Sequence, residues 1–488
     1  MQWQPIPIVG GSYRDETLPW SSQDTVNMLP VGVPPNPLGY LSIYEFGQSP
    51  TPFAAKEGGA RSMSKLLTAP GLTLFADTGT NAPIRGLHDA EGQLFAVAGN
   101  SLFSVSPTGV TANLGSIPGV SRVSMAHNQI AGGYQLCIAA NNAGYVYDTT
   151  KSALAQITSE GFPGTISFDY LNQFITGIDP TRNFAFTSQL ADAMDYNTLD
   201  RVQAESQPDL LVGQATTHGE WWLFGARTIQ PFQDTGDNTG TFQAVMGEIA
   251  DVGCAAGATI RKMVDTVLWL GNDGVVYMAD GYSPKRISTY PVEQAIRQCN
   301  MAGAYAFTFE DRGHKIYYIT FPDGFTWGVD VANNEWHRRQ SYGMNRWRVS
   351  DIAYSNFNWI AGDYSNGKLY KLDWSNQSED GQTLERHRTM QIMHNDQNPV
   401  IMAGLEVVVD TGEPASVATN MDVRYSTDGA HNWSDWRKMN MGSTGGFRQR
   451  LQMRRFGRAR QFVFDMRITD AVRADIMAAS AMVELCAS

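Results

Sequence analysis

A chain that repeats one hairpin at near-constant spacing has few ways to bury its apolar faces, and this chain repeats one. The clearest copy runs Val267-Leu268-Trp269-Leu270, turns at Gly271-Asn272-Asp273-Gly274, and returns as Val275-Val276-Tyr277. An Asn-Asp-Gly turn between apolar runs is a strong hairpin signal. Similar hairpins start near Leu94, Leu136, Gln173, Trp221, Lys315 and Asn358, roughly 37 to 48 residues apart, which brackets the period of propeller blades. One blade cannot bury both its faces, so neighbours must stack and the ring must close on itself. The apolar run from Leu66 to Phe75 is available for that closure. Seven hairpins predict seven blades, or six if one hairpin belongs to an insertion.

The expected fold is all-β: a β-propeller with an N-terminal extended arm and a C-terminal β-sandwich-like unit. Residues 1–60 are rich in Pro, Gly and Ser, and read as the arm. Residues 61–375 hold the propeller. The polar stretch 376–400 reads as a linker, and 401–488 as a second β-rich domain. There Leu405, Val407 and Val409 alternate with other residues, as do Phe462, Phe464, Met466 and Ile468, the period of a half-buried strand. One short helix is expected over Pro291–Gln298, capped by Ser288 or Thr289. The segment Ile476 to Leu485 fits helix or strand equally well.

Composition agrees with short strands and tight turns: 47 Gly, 11% aromatic and only 17% charged residues. The net charge is −12, which argues against a general nucleic-acid binder. Cys137, Cys254, Cys299 and Cys486 lie far apart, so neither a zinc knuckle nor a disulfide framework is expected, and a reducing cytoplasm is the default place of assembly. The segment Met1 to Pro7 has no basic start and no apolar core, so no signal peptide is expected. The sequence has no apolar run of membrane-spanning length, and no membrane insertion is expected.

No catalytic or metal-binding constellation and no cofactor site is expected. The eight histidines are scattered and lack zinc-protease spacing. Glu310-Asp311 precedes Arg312-Gly313 and reads as a solvated turn. Asp234 to Asn238 lacks the alternating oxygen ligands of a calcium loop. Ser426-Thr427-Asp428-Gly429-Ala430-His431-Asn432-Trp433 resembles a degenerate sialidase Asp-box, whose role is a hairpin staple. One charged cluster stands out: Arg448, Arg450, Arg454, Arg455, Arg458, Arg460 and Arg467, in an otherwise acidic chain. It reads as a solvated strand face, as an interface with an acidic neighbour, or as a DNA contact.

Several strings resemble, in the same order, the P22-like podovirus family of packaged-DNA stabilisation proteins, the tail hub or nozzle. They are Val26-Asn27-Met28-Leu29-Pro30, Pro70-Gly71-Leu72-Thr73, Arg85-Gly86, Arg122-Val123-Ser124-Met125-Ala126-His127, Ala204-Glu205-Ser206-Gln207-Pro208-Asp209, and the helix ending Glu293-Gln294-Ala295-Ile296-Arg297. Arg455-Phe456-Gly457-Arg458-Ala459-Arg460 and Arg467-Ile468-Thr469 complete the series. Stretches 31–60 and 230–250 depart from the family.

The resemblance implies a structural virion protein of a short phage tail. It would form a homo-hexameric ring below the head-to-tail adaptor, continue the DNA channel, and hold packaged DNA until ejection. A needle or plug would close its far end, tailspikes or fibres would attach at its flank, and phage duplex DNA would pass through without sequence reading. The competing expectations are a propeller glycosidase and a receptor-binding tailspike, each acting on host surface polysaccharide.

Overall fold

The computed structural model describes residues 2–6, 8, 23–32, 64–204, 209–236, 241–395, 398–411, 419–442 and 449–485. Seven four-stranded antiparallel blades follow one another: 84–116, 124–156, 167–202, 211–244, 261–286, 305–339, and 349–373 completed by strand Gly71–Asp77. Blade 5 shows why the local sequence folds this way. Strand Thr266–Leu270 pairs with Val276–Asp280. At the turn between them Asp273 accepts the Val275 N–H at 3.1 Å, and Gly274 takes the positive φ (81°) that the turn requires.

Strand Gly71–Asp77 lies antiparallel to Lys368–Asp373, with Leu72 opposite Leu372, so residues preceding blade 1 supply the outer strand of blade 7. The run Leu66 to Phe75 divides on a finer scale. Its first part, in strand Ser64–Thr68, joins the second domain, and its second part closes the ring.

The core confirms both the count and the closure. One apolar cluster fills each of the seven gaps between neighbouring blades. Ala96 and Phe103 of blade 1 pack with Ile360 and Leu369 of blade 7, and Trp269 of blade 5 packs with Trp222 and Phe224 of blade 4. A fully buried Phe, Leu or Ile side chain among these contributes ~1.5–3 kcal/mol by removal from water.

The second domain is a sandwich. One sheet orders Met28–Gly32, Ser64–Thr68, Asp475–Leu485, Val400–Asp410 and Gln449–Ala459, with Gln2–Ile6 also paired to Asp475–Leu485. The other orders Asp24–Val26, Arg386–Thr389, Gln461–Ile468, Asn420–Ser426 and Arg437–Asn440. Leu405, Val407 and Val409 face Phe462, Phe464 and Met466 in a common core.

This arrangement corrects two domain boundaries. The expected arm, 1–60, contributes Gln2–Ile6, Asp24–Val26 and Met28–Gly32 to the sandwich; the stretches 9–22 and 33–60 lie outside the described residues. The expected linker, 376–400, is folded structure. Ser378–Glu379 pairs with Leu72 of the closing strand, and Arg386–Thr389 is a sandwich strand with Arg388 opposite Met466. Its polarity misleads because its buried arginines are paired rather than solvated.

The ambiguous tail is strand Asp475–Leu485. The helix spans Tyr290–Arg297, and no side chain caps it: Thr289 makes no cap bond, while Ser288 bonds the Val276 N–H (3.0 Å) and Glu293 (2.8 Å). Among the described residues no helix is long and apolar enough to cross a membrane.

Candidate functional surfaces

The axis of a propeller is its usual binding site, so its lining bears directly on function. Here side chains bridge it. Arg122, which leads into blade 2, places its guanidinium 4.3 Å from the centre of the Tyr305 ring of blade 6. It donates to the Ser350 carbonyl of blade 7 at 2.5 Å and lies 3.6 Å from Asp351. Asp351 in turn accepts the Leu87 N–H of blade 1 at 3.0 Å. Blades 2 and 6 are separated by blades 1 and 7, so this contact crosses the ring. Lys262 of blade 5 links successive blades on one side of the ring, reaching Asp169 of blade 3 at 2.9 Å and the Thr216 hydroxyl of blade 4 at 2.6 Å.

His127 bonds His88 at 2.8 Å. Burial, with the second ring beside it, pushes His88 down to about 4, so the pair is neutral near pH 7. Arg85 is buried and donates to the carbonyls of Ser121 (2.6 Å), Gly99 (2.8 Å), Ile117 (2.9 Å) and Pro118 (3.3 Å). Side chains and backbone of blades 1, 2, 6 and 7 thus meet across the axis.

The described residues of the family-like motifs make structural contacts. Asn27 sits at a positive φ of 57°, a conformation that asparagine tolerates better than most residues. It donates to the carbonyls of Gln340 (2.8 Å) and Glu385 (2.7 Å), and accepts from Gln340 N–H (3.0 Å) and Arg339 (3.3 Å). It thus ties blade 6 to the sandwich. Met28 is buried in the sandwich core. Asp209 accepts the backbone N–H groups of Arg227 (2.6 Å) and Thr228 (2.9 Å) and shapes a blade 4 turn. Glu205, Ser206, Gln207 and Pro208 lie outside the described residues.

Beside Asn27 is a buried charged joint that sequence reading missed. Arg339 lies 3.8 Å from Glu379, stacks 4.5 Å from the Trp347 ring centre and donates to the Pro70 carbonyl at 2.5 Å. Glu379 accepts from Ser341 (2.6 Å) and Trp347 (2.8 Å). The available signal was an arginine pair, Arg338-Arg339, ending a strand rich in tryptophan and histidine.

The arginine cluster divides into two groups. Arg450 forks onto Glu406 at 2.7 and 3.1 Å. Arg467 pairs with Asp422 at 3.0 Å and stacks on Trp436. Arg454, Arg455, Arg458 and Arg460 are exposed, and among the described residues their side chains have no salt-bridge partner. Arg448 lies outside the described residues.

The free arginines lie on and just beyond Gln449–Ala459, whose outer edge pairs with no described strand. A bulge sets them out: the register skips between Met402↔Gly457 and Gly404↔Arg454, and Arg455 and Gly457 take positive φ (70° and 91°). Arg454 and Arg455 are consequently both exposed, breaking the alternation. Beside them a groove of about 450 Å³ runs between this strand and Arg437–Asn440, lined by Arg437, Lys438, Arg450 and Arg454 and by no described carboxylate.

The Asp-box-like turn acts as a staple. Asp428 accepts the Asn432 N–H (2.9 Å) and the Ser426 hydroxyl (2.7 Å). Burial alone would raise its carboxyl, but these bonds draw it down to about 2. Next to the turn, Trp433 and Trp436 sandwich Arg424, which bonds the fully buried Asp465 at 2.7 Å. Arg312 and Gly313 form a hairpin turn at positive φ, and Asp311 accepts from Trp374 at 2.7 Å. Asp234 accepts the Gly236 N–H at 2.9 Å; Asp237 and Asn238 lie outside the described residues. Among the described residues no group of His, Cys, Asp and Glu is placed to hold a metal.

Comparison with solved structures finds matches at low similarity. Virginiamycin B lyase from Staphylococcus aureus is 10% identical over 62% of this chain and 98% of its own, with a TM-score of 0.46. The computationally designed Ika8 protein is 13% identical over 62% of this chain and 100% of its own, with a TM-score of 0.39. Neither carries an argument about function. No curated protein matches the chain. Family models do match, and they divide the chain where the fold does. "Bacteriophage P22 Gp10, beta-propeller" covers residues 51–377, and "Bacteriophage P22 Gp10, beta-sandwich" covers 385–484. The two together span most of the sequence: the chain belongs to the bacteriophage P22 Gp10 family of phage structural proteins.

Proposed function

We propose that this chain is a tail-hub subunit that assembles into a ring, a hexamer by the family resemblance, continues the DNA channel below the head-to-tail adaptor, and stabilises packaged DNA. In the same reading it carries a needle or plug at its far end and spikes or fibres on its flank, works in the virion tail, is assembled in the host cytoplasm, and catalyses nothing. The observation that carries the reading is the bridged propeller axis within a member of this family. Arg122 joins blade 2 to blades 6 and 7 across the axis, which favours a duplex conduit that runs between subunits, around a ring, and not through one propeller. A wall built from subunits of net charge −12 repels duplex phosphates within a Debye length and keeps the DNA free to slide. Retention then belongs to the plug.

The test is a null mutant of the phage. Heads should fill with DNA and leak it on incubation, and imaging of wild-type tails should show this chain as a ring between adaptor and tip. Stable full heads in the null lysate, or turnover of host polysaccharide lost on a single Asp or Glu substitution, would overturn the proposal.

A further inference from the structure

The free arginine edge and the propeller of the same chain are opposite in charge. Residues 385–484 hold 13 of the 36 basic and 12 of the 48 acidic side chains, which leaves 1–384 with 23 basic and 36 acidic. Among the described residues of the sandwich, four of the exposed arginines and lysines without a salt-bridge partner, Arg454, Arg455, Arg458 and Arg460, lie along one open strand edge. An open edge invites pairing with another chain. Two copies joined edge to edge by a two-fold axis would set these arginines against their own counterparts, and like charges across an interface are unfavourable. The edge therefore needs a different surface of its neighbour, and such a head-to-tail contact generates a ring when its rotation closes.

The far flank of the propeller offers that surface. The sandwich is attached at blades 6 and 7, through Asp24–Val26 and Ser378–Glu379, and blade 3 stands opposite them in a seven-membered ring. The outer strand of blade 3, Asp192–Val202, has eleven residues and is the longest strand in the propeller. It carries Asp192, Asp195 and Asp200, with Glu160 exposed on the loop beside it, where Ser159 bonds the Tyr196 N–H and carbonyl. On the same strand Leu199 is 84% exposed, beside Asp200 and the exposed Arg201, an apolar anchor within a charged rim of the kind found at interfaces.

We propose that Arg454, Arg455, Arg458 and Arg460 of one copy dock on Glu160, Asp192, Asp195 and Asp200 of the next, and that this contact, repeated, builds the ring. The inference rests on the ring reading above and adds the two faces that meet.

The test is charge exchange in a phage null for the chain, complemented with full-length variants. Arg454→Glu with Arg458→Glu should lower infectious titre at least 100-fold, as should Glu160→Arg with Asp195→Arg. The four substitutions together should restore at least 10-fold over either pair. Normal titre with either pair alone, or no gain on combining them, overturns the contact. Purified variants should melt within a few degrees of wild type; if the Glu pair does not, Arg454→Gln with Arg458→Gln replaces it, with the same losses and gains expected on a smaller scale. Imaging of wild-type tails separates the two levels. A ring that survives charge reversal refutes only the contact, whereas tails with no ring of this chain refute the ring itself.

Discussion

The side chain of Asn27 clasps the backbone of Gln340 from both sides, donating to its carbonyl at 2.8 Å and accepting its N–H at 3.0 Å. The amide imitates a strand partner at the place where the sandwich meets blade 6, and a buried backbone needs such a partner.

Asn27→Ala should therefore loosen the joint. It removes both donations and the shared acceptor, and leaves the carbonyls of Gln340 and Glu385 without them. We expect a loss of about 2–4 kcal/mol in urea unfolding, with protease cleavage appearing first between the two domains. A variant as stable as wild type would show the clasp to be incidental.

Gly71→Ala should damage ring closure. A Cβ there would stand 2.4 Å from the carbonyl oxygens of both Asn376 and Ser378, closer than any real contact. Those oxygens are backbone and cannot swing aside. The expected cost is about 1–3 kcal/mol or more, read as a lower melting temperature, with hydrogen exchange rising in blade 7 before blade 3.

His337 should make the propeller acid-sensitive. Burial pushes its imidazole down to about 3, against the pull of nearby Asp330 and with further depression from Arg339 and His314. Between the ordinary value near 6.5 and about 3, the unfolded chain binds a proton that the folded chain refuses, so stability falls as pH falls through that window. From pH 7 to pH 5 the group contributes a loss of about 2 kcal/mol at 1.36 kcal/mol per pH unit. Denaturant titrations at both pH values should show wild type losing about that much more than His337→Gln. Equal losses would refute the assignment.

Asp465 should dominate the stability of the sandwich. It is fully buried and bonded by Arg424, His387 and Thr389. Burial alone would raise its carboxyl, but His387 and Arg424 hold it below the usual range. Its contribution is thus present above the ordinary carboxylate value and lost as pH falls through the depressed one. Asp465→Asn leaves the Arg424 guanidinium without its buried carboxylate and should cost about 3–5 kcal/mol, seen as earlier unfolding of the sandwich signal while propeller fluorescence is unchanged.

The sequence reveals contacts that are local in the chain and conceals those that are distant. Each blade hairpin announces itself through its own turn and apolar runs, which is why seven hairpins gave seven blades. Strand Met28–Gly32 shows no such pattern, because its partner is Ser64–Thr68 and most core neighbours of Met28 lie at residue 390 or beyond. Arg386 and Arg388 looked solvated for the same reason: Arg386 is held by the carbonyls of Asp470 and Val472, and Arg388 by Thr25. The arginine cluster was visible as composition and as alternation. Which of its members are free was not, since that depends on Glu406 and Asp422, forty-odd positions away by the spacing of their bonds. Asp465 was legible in hindsight as a lone carboxylate within Phe462-Val463-Phe464-Asp465-Met466.

Closure by strand Gly71–Asp77 also sets a timetable. Thr73 and the Asp373 that it bonds are 300 residues apart, so at ordinary translation rates the closing strand waits on the order of half a minute for its partner. Until then every preceding blade belongs to an open arc with an unmatched apolar flank at each end. A chain cut short anywhere before Asp373 cannot complete the circle. Translation thus proofreads the subunit: only a copy read through its last blade can become a closed wheel.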